Sequence, residues 1–199
     1  MICVYADNID GICAAAVVSM SVRTESGSFH SVSYSNMVDN DLTEVHDILD
    51  NVTNDLIYLC GISFSYGNID FLKTIAKNNV LIWIDSSKNS IKLVNENKEL
   101  KTIPGLIDEN YSVSYNTWCC IYKTIPPRVI KYISDVQTIK FSYHNSQNFK
   151  TGLLGDLDFK DPLSDKWNTL FKDDKISTEL IGKIINNGKA INNYIQQTK

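Results

Sequence analysis

Three short runs of β-branched and aromatic residues punctuate the first half of the chain: "MICVYA" at the start, "DLIYLCGISF" from Asp55 and "NVLIWIDSS" from Asn79. Runs of this length, apolar at successive positions, predict parallel strands buried on both faces. Between them the apolar positions switch to helical spacing. "GICAAAVVSMSV" is small and apolar, suited to a helix lying close on a sheet. "LTEVHDILDNV" places Leu42, Val45, Ile48 and Leu49 on one stripe, and "YGNIDFLKTIAKNN" repeats it through Ile69, Leu72 and Ile75. "FHSVSYS" alternates and predicts a further strand. Strand and helix in alternation predict an α/β fold, a doubly wound, mostly parallel sheet flanked by helices.

Residues 93–110 are polar and read as a loop with room for a short strand. "SVSYNTWCCIYKTI" and "PPRVIKYISDVQTI" predict two helices, the second opened by Pro126-Pro127. The stretch from Phe141 to Pro162 shows no clear period. From Leu163 onward, apolar positions at Leu180, Ile181, Ile184, Ile185, Ile191 and Tyr194 predict one or two amphipathic helices. The division that follows is a domain over 1–160 and a C-terminal helical extension over 161–199.

On a doubly wound sheet, ligands bind beyond the carboxyl ends of the strands. Those ends carry Ala6 to Asp10, Gly61 to Tyr66 and Asp85 to Ser87, which the topology brings to one rim. No G-x-x-x-x-G-K-[ST] or G-x-G-x-x-G occurs. The three histidines, His30, His46 and His144, lie away from the strand ends, which argues against a nucleophilic triad. What remains is carboxylate: Asp7, Asp10, Asp85 and, inside "KYISDVQTIKF", Asp135. Hard oxygen ligands at the ends of different strands suit Mg²⁺ or Mn²⁺, although each aspartate taken alone is more often a cap or a turn.

Composition narrows the setting. A formal net charge of −4 provides no global field for long nucleic acid, and leaves a local basic patch open. The five cysteines form no C-x-x-C pair, which predicts buried reduced thiols in a cytoplasmic protein. No apolar run is long enough to span a bilayer, and the apolar start is broken by Asp7, Asn8 and Asp10, unlike a signal peptide.

At the rim the sequence resembles the DHH phosphoesterases, in particular the N-terminal domain of the nano-RNase and oligoribonuclease type. "YADNIDGICAAAVV" is similar to the family's first motif, His-x-Asp-x-Asp-Gly before a small-residue helix. "IYLCGISFS" resembles the second strand, which ends in Asp, and "IWIDSSKNS" the Asp-His-His motif. "PPRVIKYISDVQTIKF" is similar to the fourth motif, and "DPLSDKWNTLFKDD" with "LIGKIINNGKAI" to the linking helices. The departures carry equal weight. By position the first-motif His and Asp are Ala6 and Asn8, the second-motif Asp is Gly61, and the two histidines are Ser86 and Ser87. The Gly-Gly-Gly-His segment of the family's second domain has no counterpart.

The resemblance therefore implies a family site with Asp10, Asp85 and Asp135 as the surviving metal ligands, too few for two manganese ions and enough for at most weak Mg²⁺ or Mn²⁺. It implies no resident cofactor and no catalytic residue, and a pocket that binds without cutting. The implied ligand is a small nucleotide-derived signal: a cyclic nucleotide, cyclic dinucleotide or cyclic ADP-ribose-like molecule. Asn8, Asp10, Gly11, Ser63, Ser65, Asp85, Ser86, Ser87, Lys88 and Asp135 would surround it, with Tyr66 or Tyr143 stacking on a base. An AT-biased, catalytically stripped chain suits a viral protein that sequesters a host signal in the host cytoplasm. Two alternatives stand beside this: a scaffold that dimerises through its C-terminal helices, and a residual metal-dependent phosphodiesterase.

Overall fold

The computed structural model describes residues 1–22, 27–33 and 41–198. Five strands, β1 Ile2–Ala6, β2 Ser28–Val32, β3 Leu56–Cys60, β4 Val80–Asp85 and β5 Gly105–Ile107, form an all-parallel sheet in the order β2-β1-β3-β4-β5. The order reverses between β1 and β3, so the crevice of a doubly wound sheet opens between those two strand ends. The alternating segment "FHSVSYS" supplies β2, with Phe29 beside Cys3, and its last two residues lie outside the described set. The short strand expected within 93–110 is β5, beside the end of β4.

Helices cover both faces. Along the strands Cys3, Tyr5, Tyr58, Cys60 and Ile84 point to one layer, while Val4, Ala6, Ile57, Leu59, Leu81 and Trp83 point to the other. The period of two that sends neighbours to opposite faces explains why the strands read as unbroken apolar runs. The second layer holds α2 Thr43–Leu49, α3 Ile69–Asn78 and α4 Lys88–Glu96. The first holds α1 Ile9–Ser21, α5 Val113–Tyr122, α6 Arg128–Gln137, α7 Ser146–Leu154, α8 Asp165–Phe171 and α9 Lys175–Gln197.

Helix α1 is buried from Ile9 through Val18 because its alanines let it sit against β1 and under α5. A Cβ at Gly11 would stand 2.1 Å from the Ala6 carbonyl oxygen, so the first turn requires glycine for this approach. Pro127, the N-cap of α6, supplies a preset φ of −64° where no amide donor is needed. The C-terminal helices α8 and α9 place Trp167, Leu170, Phe171, Ile181 and Ile184 in the same cluster as α1 and α6. Helix α9 crosses α7 through glycine: a Cβ at Gly188 would lie 1.8 Å from the Asn148 carbonyl oxygen, and one at Gly152 would lie 2.0 Å from that of Ile184.

Helix α4 runs on into the segment that sequence patterning reads as loop from residue 93 onward, and α7 falls in the stretch without a period. Among the described residues, no helix is long and apolar enough to cross a membrane. All five cysteines are free, Cys3, Cys13 and Cys60 buried and Cys119 and Cys120 partly so.

Candidate functional site

At the carboxyl ends of β1, β3 and β4 lies a cleft of about 620 Å³. Its walls include Asn8, Asp10, Gly11, Ser63, Asp85, Ser86 and Ser87, all anticipated from the strand ends. Asp7 joins them from the β1–α1 turn, and Val113, Gln137, Lys150 and Leu154 complete it from α5, α6 and α7. The strands end here because the chain turns at once into helix caps. Asn8 has extended backbone (φ −148°) and its Oδ1 accepts the amides of Asp10 and Gly11 at 3.1 and 2.9 Å, starting α1. Ser87 does the same for α4, accepting the Ser90 amide at 3.1 Å.

Asp10 is buried, and both its oxygens face protein donors: Oδ2 accepts from the Val113 amide at 2.8 Å and Oδ1 from the Ser114 amide at 2.9 Å. Its carboxylate thus sits on the N-terminus of α5, where free amides and the helix dipole favour negative charge. Burial still raises its carboxyl above the ordinary aspartate range, against the opposing pull of hydrogen bonds from Ser114, Ser112 and Val113.

Asp85 is equally enclosed. Its Oδ2 accepts from Ser63, Ser87 and Ser90 hydroxyls at 2.8, 2.7 and 2.6 Å, and Oδ1 from the Ser86 amide at 2.8 Å. The hydroxyls also approach one another, Ser63 to Ser87 at 2.8 Å and Ser87 to Ser90 at 3.0 Å. Each hydroxyl has one proton, so these contacts cannot all be donations at once, and the charged oxygen is the stronger acceptor. Asn116 locks the strand end from behind by donating to the carbonyls of Asp85 and Asp108 at 3.1 and 2.8 Å.

Asp135 lies elsewhere. Its carboxylate receives the amides of Ser142 and Tyr143 at 2.6 and 3.1 Å, and it lines a separate depression with Tyr143. Ser65, Tyr66 and Lys88 also do not line the cleft. Ser65 bonds Asn68 to start a single 3₁₀ turn, Tyr66 projects from that turn, and the Lys88 side chain is 90 % exposed with its amine 3.9 Å from Glu109. Gly61, at the position the resemblance aligns with the second-motif aspartate, has φ +74°, a left-handed conformation in which a side chain is strained.

The three aspartates that the resemblance leaves as ligands for a weakly held Mg²⁺ or Mn²⁺ do not form one donor set. Asp10 and Asp85 have their oxygens turned to protein donors and Asp135 is on another face. Among the described residues no three of His, Cys, Asp and Glu gather as a metal-ligand group. What faces the cleft is instead a set of neutral hydrogen-bonding groups, one cation and, from the β1–α1 turn, the exposed Asp7 carboxylate. Ser86 Oγ has no partner among the described residues. Lys150 reaches Gln137 Oε1 at 3.5 Å and, among the described residues, has no ion pair. Lys150 and Gln137 escaped sequence reasoning because they reach the rim from helices rather than from strand ends.

No family model and no curated protein matches this chain. Among solved structures it is similar to an uncharacterized protein from Helicobacter pylori G27, at TM-score 0.60 and 10% identity over 95% of this chain and 62% of that one. It is also similar to exonuclease RecJ bound to manganese, at TM-score 0.41 and 12% identity over 95% of this chain and 61% of that one. The chain spans about three fifths of the length of these solved chains, and the first likeness is one of fold.

Proposed function

We propose that the cleft is a ligand site for a small nucleotide-derived molecule, held without a metal ion and left uncut. The observation that carries this reading is the fate of the rim carboxylates. Asp10 and Asp85 are spent on the α5 amides and on three serine hydroxyls. An anionic ligand then meets Lys150, the Ser86 hydroxyl and the Gln137 and Asn8 amides, which have to outweigh the Asp7 carboxylate on the same rim. These groups suit phosphate oxygens and sugar hydroxyls, and the volume lies within the roughly 300–1,000 Å³ usual for ligand sites. The ligand class is that of the resemblance: cyclic nucleotides, cyclic dinucleotides and cyclic ADP-ribose-like signals. Holding such a molecule intact makes the protein a sequestering module rather than an enzyme.

Thermal unfolding with a panel of cyclic mononucleotides and cyclic dinucleotides, run in EDTA, tests the reading. A rise in melting temperature with at least one of them is expected, weakened in Lys150→Ala. No shift across the panel would remove the proposal. A second reading, self-association through the C-terminal helix, draws on the exposure of Tyr194 (68 %) and Ile195 (44 %) on the last turns of α9. Light scattering over a range of concentrations tests it, and a strict monomer would end it.

A further inference from the structure

Behind the cleft, where the end of α6 meets the start of α5, the chain builds a second depression of about 320 Å³, lined by Tyr111, Tyr115, Lys131, Thr138, Lys140 and Tyr143 among others. The Tyr111 and Tyr115 rings stack at 4.1 Å and 11°. Lys140 sits 5.0 Å above the Tyr111 centroid and donates to the Asn110 carbonyl at 2.5 Å, which fixes its amine at the rim. Lys131 has no ion pair among the described residues.

Asp135, conspicuous in the sequence as a candidate metal ligand, is the clasp of this depression. Its backbone carbonyl accepts the Lys140 amide at 3.0 Å, and its carboxylate accepts those of Ser142 and Tyr143 at 2.6 and 3.1 Å. The clasped loop is strained, with Ile139 at φ 56° and Phe141 at φ 48°, values that branched and bulky residues rarely adopt. The loop carries Tyr143 to the rim, 48 % exposed, with only an edge contact to Tyr132 at 5.9 Å and 72° among the described residues.

We propose that this depression is a second ligand site, for an unpaired nucleotide whose base stacks on Tyr143 and whose phosphate meets Lys131 and Lys140. Aromatic rings beside cations are the means by which proteins hold single-stranded bases irrespective of sequence. The one acid in the lining, Asp135, has its oxygens turned to backbone amides, and against its single charge Lys131 and Lys140 leave the lining net positive. The inference is independent of the cleft: it rests on different residues and predicts a ligand held by stacking.

Two probes, adenosine monophosphate and an eight-residue single-stranded oligodeoxyadenylate, are titrated into the ¹⁵N-labelled protein and amide shifts are followed. Shifts at Tyr111, Lys140, Ser142 and Tyr143 are expected. Tyr143→Ala is expected to weaken binding on the order of tenfold while lowering the melting temperature only slightly, since about half of the residue is exposed. Equal affinity for both probes assigns the site to a free mononucleotide. Much tighter, salt-sensitive binding of the oligonucleotide assigns it to a strand. Absence of shifts with both probes, shifts confined to Asn8–Gly11, Ser63 and Ser86, or unchanged binding by Tyr143→Ala would each overturn the proposal.

Discussion

Three hydroxyls donate to one oxygen of Asp85, and they are not equivalent. Ser90 is buried and makes the shortest bond, whereas Ser63 lines the cleft, where water can replace it. Ser90→Ala should therefore cost about 1.5–3 kcal/mol in chemical denaturation, the range for a hydrogen bond to a charged group, and Ser63→Ala clearly less. Equal losses would mean that water does not reach Asp85. A second residue-scale test uses pH. Burial pushes the Asp135 carboxyl up, but hydrogen bonds from the Ser146 hydroxyl and the Tyr143 and Ser142 amides outweigh it and hold the group below its ordinary value. Its stabilising contribution is thus fully present above the unfolded value of about 3.9 and is lost as pH falls below that toward the lowered folded value. Asp10, raised by burial, runs the other way: its contribution is complete below the unfolded value and declines as pH rises through the raised one. Acid unfolding of Asp135→Asn should consequently show a shallower loss of stability below pH 4 than the parent protein. An identical acid limb in both would show that the clasp does not stabilise the loop.

At the scale of elements, the crossing of α7 and α9 is set by Gly152 and Gly188. Gly188→Ala puts a methyl against the Asn148 carbonyl and must separate the helices, with an expected loss of about 1–3 kcal/mol. Gly182, on the same helix with nothing within 4 Å of its added Cβ, should respond oppositely, Gly182→Ala stabilising by up to about 1 kcal/mol through helix propensity. Paired thermal unfolding of the two variants checks both signs. The same crossing explains what the sequence concealed. The strand ends at Ala6, Cys60 and Asp85 were legible because both faces of each strand are covered and the apolar runs stop where the caps begin. Helix α7 was not, because much of its contact is made by Gly152 and by an Asn148–Asn192 side-chain bond of 2.9 Å, leaving only Phe149 and Leu153 to mark an apolar stripe. Lys150 stands on that helix, so the cation of the cleft was hidden with it. Helix α4 was obscured likewise, its buried residues reduced to Ser90 and Leu93. Asp135 shows the limit of motif reading, since one aspartate serves equally as a ligand or as a loop clasp until its neighbours are placed.

For the whole molecule, a doubly wound sheet keeps its crevice at the β1 and β3 ends whatever residues line it, and here hydrogen bonds from the protein occupy two of the three carboxylates in the lining. Placing an aspartate at the rim by Gly61→Asp should not create metal affinity: the position is left-handed, with its Cβ direction 3.3 Å from Val113, and Asp10 remains bound to α5. Manganese titration of that variant by calorimetry should stay flat, and saturable binding would contradict the donor analysis. Lys150→Ala should lower affinity for a phosphorylated ligand of the cleft about tenfold or more, whereas loss of a metal-bridged ligand would follow EDTA instead. The measurement that bears most directly on the cleft is the fate of its ligand. The protein is incubated with cyclic dinucleotides, once in manganese and once in EDTA, and then heated, and the released small molecules are weighed by mass spectrometry. Recovery of the same intact molecule in equal amount under both conditions is the predicted result. Cleaved dinucleotide appearing only with manganese would contradict it and establish a metal-dependent phosphodiesterase.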